Sequence, residues 1–114
     1  MFPSVNPTTT QAWPLLQQHY QEIRSISLRQ LHMDDQKRFE KFSLQTDHLL
    51  LDYSKNILTE KTLSLLIQLA SECKLSMAIE AMFNGEKINV TENRSVLHIA
   101  LRNNSNHPIN TDGK

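Results

Sequence analysis

Between Thr59 and Ala70 the apolar residues recur at helical spacing, and there are too many of them for one narrow stripe. Leu63, Leu66, Ile67 and Ala70 mark one face, Leu65 and Leu69 widen it, and Thr59 stands where an N-cap belongs. So broad an apolar surface asks for burial, and any fold for this chain has to supply a cover for it. A further helix is predicted from about Ser76 to Phe83, ending at Asn84-Gly85, because glycine is the usual residue where a helix turns left-handed to stop. Upstream, Leu15, Leu16, Tyr20 and Ile23 recur at helical spacing between Gln11 and Ile26, with Pro14 in the first turn, where a missing amide costs little. Ser27 followed by Gln30 reads as a capping box opening a short turn through His32, and Asp34 or Asp35 can cap another helix through about Lys41.

The period changes to two between Phe42 and Tyr53. Phe42, Leu44 and Thr46 lie on one side of Asp47-His48, and Leu49, Leu51 and Tyr53 on the other, which predicts a β-hairpin. From Asp52 to Lys55 the chain offers a serine beside an acid, but no general base is placed near Ser54, and the stretch reads as a strand end and turn leading to Thr59. After the loop Glu86 to Val90 comes a predicted amphipathic helix over 91–102. Thr91 is its N-cap, Glu92 puts negative charge in its first turn, Val96, Leu97, Ala100 and Leu101 form its apolar stripe, and Arg102 suits its C-terminal end. The fold class expected is therefore mainly α with one β-hairpin, an α+β segment, preceded by a loosely held polar arm over 1–10.

Charge announces no partner. Twelve basic side chains balance twelve acidic ones, so the basic footprint of a nucleic-acid binder is missing, and no apolar run approaches a membrane span. Neither a nucleic-acid nor a membrane partner is expected. Two glycines in 114 residues leave no material for a phosphate-cradling loop. His19, His32, His48, His98 and His107 show no metal-ligand spacing, and the single Cys73 completes no usual zinc site. A lone cysteine and an N-terminus without a basic start or apolar core fit a cytoplasmic protein.

The stretch Gly85-Glu86-Lys87-Ile88-Asn89, Thr91-Glu92-Asn93-Arg94 and Leu97-His98-Ile99-Ala100-Leu101-Arg102-Asn103 resembles the N-terminal portion of the glucose-6-phosphate isomerase family. The resemblance extends to Asn6-Pro7-Thr8, Trp13, Arg38-Phe39, Phe42-Ser43, 51–56, Thr59-Glu60 and Met82-Phe83, covering nearly the whole chain. It implies that 11–114 is an N-terminal helical segment, truncated before two catalytic sugar-isomerase (SIS) domains of α/β type. The expectation is that the family sequence continues past Asp112-Gly113-Lys114.

The chemistry so implied is interconversion of glucose 6-phosphate and fructose 6-phosphate, an aldose-ketose isomerisation by proton transfer through a cis-enediol, with no metal or organic cofactor, in a homodimer. A carboxylate base, a ring-opening acid and a cation for the developing oxyanion are required. In the family these lie downstream, and its two usual motifs, Gly-Gly-Arg-Phe/Tyr-Ser and Phe-Asp-Gln-x-Gly-Val-Glu, are absent from this chain, so no catalytic residue is assigned to it. Glu86, Lys87, Asn89, Thr91, Glu92, Arg94, His98 and Arg102 are the positions of interest, in supporting rather than catalytic roles. Their charges could serve a phosphate or dimer site, but capping, ion pairing and helix-end charge explain them as well. His98 could orient part of an active-site wall, whereas a histidine buried and bonded to backbone is the plainer reading. The fragment alone is expected to be inactive. The alternative is a genuine short product of the same family with a binding or regulatory role.

Overall fold

The computed structural model describes residues 3–111; the expectation about Asp112-Gly113-Lys114 lies outside them. The chain divides into two compact units, one of residues 11–68 and one of residue 69 onward together with the first ten.

In the first unit, helices α1 (Ala12–Ile23), α2 (Leu28–Asp34) and α3 (Arg38–Lys41) precede strands β1 (Ser43–Gln45) and β2 (Leu50–Asp52), and helix α4 (Glu60–Glu72) begins here. Each boundary follows from local chemistry. Ser27 Oγ accepts the Gln30 amide at 3.1 Å and so caps α2, while the Gln30 side chain donates to Asp34 instead of returning to the cap, leaving half a capping box. Asp35 accepts the Lys37 amide at 3.0 Å and turns the chain into α3. Thr59 and Thr62 cap α4 reciprocally: the Thr59 amide donates to Thr62 Oγ1 at 2.9 Å, and the Thr62 amide to Thr59 Oγ1 at 3.3 Å.

The hairpin has the expected register. Ser43, Leu44 and Gln45 face Asp52, Leu51 and Leu50, and the Phe42 and Tyr53 rings meet edge to face at 6.0 Å just beyond the ladder. The Thr46 amide donates to the Leu49 carbonyl at 2.8 Å, which closes the turn over Asp47-His48.

The helices bury part of the face their periodicity favours, with Leu16 and Ile23 on α1 and Leu63, Leu65, Leu69 and Ala70 on α4 buried or half-buried, and add polar residues to it. On α1 the inner face runs through Ala12, Leu16, His19 and Ile23, with Leu15 and Tyr20 exposed. On α4 it runs through Thr62, Leu65 and Leu69, while Leu66 and Ile67 face solvent. A turn of about 100° per residue lets one polar residue at the right position outbid a leucine one step away. His19 and Thr62 are those residues, because they hydrogen-bond each other at 2.7 Å.

In the second unit α4 finishes and α5 (Leu75–Phe83) follows, entered through Lys74 in a left-handed conformation. α5 ends as its glycine predicts. The Glu86 amide donates to the Ala81 carbonyl at 2.9 Å and the Gly85 amide to the Met82 carbonyl at 3.2 Å, a Schellman stop with Gly85 at φ 71°. In the N-terminal stretch, Asn6 Oδ1 accepts the Thr8 amide at 3.1 Å and caps a single 3-10 turn over Pro7–Thr9.

The helix expected over 91–102 is not formed. Thr91 does not cap, because its hydroxyl donates to Asn89 Oδ1 at 2.8 Å, and the same oxygen accepts the Glu92 amide at 3.2 Å. Asn89 and Arg94 instead exchange both backbone hydrogen bonds, at 3.1 and 3.2 Å, across a turn in which Asn93 takes φ 51°. Asparagine tolerates the left-handed region and its side chain competes with the helical backbone, so the local turn wins. Only a 3-10 turn over Ala100–Arg102 remains of the helix, and Leu101 of the proposed apolar stripe is 88% exposed.

Candidate functional site

The sequence singled out Glu86, Lys87, Asn89, Thr91, Glu92, Arg94, His98 and Arg102, and the structure collects four of them around one turn. Asn89 is the hub. Its Oδ1 holds Thr91 and the Glu92 amide, and its Nδ2 donates to Glu92 Oε2 at 3.2 Å. Arg94 Nη1 reaches the same Glu92 oxygen at 3.4 Å. Ser95 then donates from Oγ to the Gly85 carbonyl at 2.6 Å, tying this turn to the stop of α5.

Gly85 is required there for two reasons. Its φ of 71° strains any side chain, and a Cβ would lie 2.6 Å from the Asn110 carbonyl oxygen. The conspicuous Gly-Glu-Lys-Ile-Asn run is thus a helix stop followed by a self-bonded turn, with Glu92 and Arg94 satisfying each other at an exposed surface. Glu86, His98 and Arg102 are exposed outside that cluster. The buried, backbone-bonded role considered for His98 belongs to no conformation seen here. Arg102 instead lines a cavity of about 350 Å³ with Phe83, Asn103, Ser105 and His107. Asn103 organises that loop by accepting the Ser105 amide at 3.0 Å and donating to the His107 carbonyl at 2.7 Å. Among the described residues no group of three or more His, Cys, Asp or Glu side chains is arranged to hold a metal ion.

The most organised polar chemistry lies in the first unit. Arg38 is 3% exposed, donates from Nε to the Ser54 carbonyl at 2.8 Å and from Nη2 to the Asn56 carbonyl at 2.7 Å, and stacks its guanidinium 4.7 Å from the centre of the Phe42 ring. Ser54 is 2% exposed, and its hydroxyl and amide donate to Asp52 Oδ1 at 2.6 and 2.9 Å. Those two bonds, the hydroxyl's first, hold the Asp52 carboxyl below its ordinary range. With its proton committed to Asp52 and its surroundings closed, Ser54 is a turn residue and no nucleophile. Lys41 bonds Asp35 at 2.7 Å, which lowers the Asp35 carboxyl and raises the Lys41 ammonium.

Sequence reasoning had placed Arg38-Phe39, Phe42-Ser43 and 51–56 as separate islands of resemblance. They converge on one buried guanidinium. The signal available beforehand was an arginine four residues ahead of a phenylalanine on a helix too short to need it, followed by the turn-forming Asp52-Tyr53-Ser54. His19 is a second buried polar residue, and nothing in its spacing marks it as one. Its ring sits between Glu22 Oε2, 3.1 Å from Nδ1, and Thr62 Oγ1, 2.7 Å from Nε2.

The family model described as phosphoglucose isomerase matches residues 52–114. That interval takes in Asp52 and Ser54, the capped start of α4, the Gly85 stop and the Asn89 turn. A match over more than half of the chain means that this chain belongs to the phosphoglucose isomerase family.

Proposed function

We propose that the chain is the N-terminal segment of a glucose-6-phosphate isomerase, a cytoplasmic homodimer that interconverts glucose 6-phosphate and fructose 6-phosphate by proton transfer through a cis-enediol. Residues 11–114 are its helical lead-in and 1–10 its arm. The segment supplies scaffold to the SIS domains and leaves the catalytic carboxylate and the ring-opening acid to them. The residues around Asn89 shape a supporting turn, in agreement with the mutual satisfaction of Glu92 and Arg94.

The observation that carries this reading is where the apolar side chains lie. Leu66, Ile67, Leu75, Met77, Ile79 and Phe83, on α4 and α5, are all exposed. Isolated soluble proteins seldom leave so much apolar helix surface in water, whereas a segment that packs beneath further domains requires it.

The test is the size and activity of the native polypeptide. An antibody raised against residues 85–102 should detect a species several times heavier than 13.2 kDa in source cells, and the captured protein should interconvert the two hexose phosphates. A species at 13.2 kDa without isomerase activity would replace this reading with that of a short non-catalytic product.

A further inference from the structure

His19 is 3% exposed, and both of its ring nitrogens are engaged within residues 11–68. Glu22 Oε2 stands 3.1 Å from Nδ1 and also accepts from Lys61 Nζ at 2.6 Å. An ionised carboxylate has no proton to give, so the contact requires Nδ1–H. A neutral ring then offers Nε2 as an acceptor, and the 2.7 Å contact makes Thr62 the donor. Thr62 Oγ1 accepts the Thr59 amide at 2.9 Å on one lone pair, which leaves its proton for His19.

We propose that His19 is a proton switch, reversing the Thr62 hydroxyl and thereby tying the N-cap of α4 to the protonation state of α1. When Nε2 gains a proton from solvent it becomes a donor aimed at the same oxygen. Two donors cannot share one contact, and a buried histidine with a single such partner would be left unsatisfied. Here the hydroxyl has a second acceptor, since Thr59 Oγ1 lies 3.2 Å from Thr62 Oγ1 and 3.4 Å from His19 Nε2. The Thr62 proton turns to Thr59, and Thr62 accepts from the imidazolium.

The cap does not stay the same. Thr59 Oγ1 receives the Thr62 amide at 3.3 Å in the neutral state and must accept a second donor in the charged one. The charged groups that face the ring are Glu22, one turn along α1, and Lys61, in the first turn of α4. The imidazolium then shares the charge of one carboxylate with the Lys61 ammonium, which adds a second link between proton uptake and the start of α4.

The experiment is an imidazole and amide nuclear magnetic resonance titration of the full chain. Above the ring's own titration, the His19 nitrogen shifts should report the Nδ1–H tautomer, the minor form in free histidine. The Thr59 amide should move with the same midpoint as the ring. Thr62→Ser should retain that coupling, and Thr62→Val should abolish the Thr59 response while His19 still titrates. A neutral ring protonated at Nε2, or a Thr59 amide that stays flat while His19 titrates in the unmodified chain, overturns the proposal. Those two readouts decide the matter if Thr62→Val fails to fold.

Discussion

Truncating Arg38 should strongly destabilise the unit that holds the hairpin. The side chain donates to two carbonyls, of Ser54 at 2.8 Å and Asn56 at 2.7 Å, and Ser54 is itself 2% exposed, so water cannot readily replace the lost donor there. Hydrogen bonds from a charged donor are each worth about 1.5–3 kcal/mol, which puts the pair at about 3–6 kcal/mol. The stacking on Phe42 adds about 0.5–2 kcal/mol where it is desolvated. Because these contributions share one side chain and are not additive, about 4 kcal/mol is a fair expectation for Arg38→Ala. Small domains hold about 5–15 kcal/mol in all, so the variant should keep its fold without denaturant but with a much reduced margin. Arg38→Met restores bulk but not donors and should lose almost as much. Arg38→Lys presents a point charge in place of the planar fork, serves one carbonyl at a time and should recover about half. The assay is urea unfolding of the monomer followed by the fluorescence of Trp13, in the same unit, and by circular dichroism. With a slope of about 1–2 kcal/mol per molar urea, a loss of 4 kcal/mol moves the midpoint by about 2–4 M. An Arg38→Met unfolding free energy within about 1 kcal/mol of the parent's would refute the reasoning, since it would mean that the two carbonyls are adequately solvated without the guanidinium.

Three further outcomes are expected. Glu22, Asp35 and Asp52 have carboxyls lowered by Lys61 and His19, by Lys41, and by Ser54 respectively, so their stabilisation is present above the unfolded carboxylate range and disappears as pH falls through the lowered folded values; urea midpoints should decline on acidification, with a shallower decline in Asp52→Asn. Lys41 is raised by Asp35, so its contribution has the opposite sign, being full below the ordinary lysine value and lost as pH rises through the raised one. Gly85→Ala should destabilise the second unit by roughly 1–2 kcal/mol from the left-handed backbone alone, with more from the approach to Asn110, and hydrogen exchange at the Glu86 amide should accelerate; unchanged protection would contradict the role given to this stop. The chain by itself should show no interconversion of glucose 6-phosphate and fructose 6-phosphate above buffer in a coupled dehydrogenase assay, and genuine activity lost on Glu86→Gln or His98→Ala would move catalytic groups into this segment.

Local chemistry was legible in the sequence and long-range polar pairing was not. The Ser27 cap, the Thr59 cap and the Gly85 stop each depend on residues within a few positions of one another, where propensity and hydrogen bonding decide the outcome. The helix over 91–102 failed for an equally local reason that pattern counting overlooks. Thr91 and Glu92 make a good helix start only if Asn89 leaves them alone, and Asn89 instead takes both the Thr91 hydroxyl and the Glu92 amide. The polar part of the inward faces of α1 and α4 was hidden because it is settled at long range, by His19 meeting Thr62 across 43 residues of chain. Arg38 was visible as part of a resemblance, but nothing in the spacing said that its partners would be carbonyls sixteen and eighteen residues away.

These facts bear on why the apolar residues lie where they do. The first unit is held by a short inventory: Ala12, Phe42 and Leu65 as buried apolar groups, with Arg38, His19 and Ser54 buried beside them as polar cross-links. Leu44, Leu49, Leu50 and Leu51 take no part in it. They are exposed on both sides of a two-stranded hairpin, Leu44 at 61%. A sequence evolved to fold as an isolated unit would gain about 1.5–3 kcal/mol for each large apolar side chain it turned inward. This one spends buried positions on an arginine and a histidine while its leucines remain outside. The polar cross-links fix the direction of each element without consuming apolar surface, which leaves that surface for contact with further structure. Replacing Leu44 by lysine and its cross-strand partner Leu51 by glutamate is therefore expected to preserve the urea midpoint of the unit while reducing concentration-dependent association in sedimentation. A collapse of stability in that variant would place the leucines in the unit's own core and remove the argument that they await a cover.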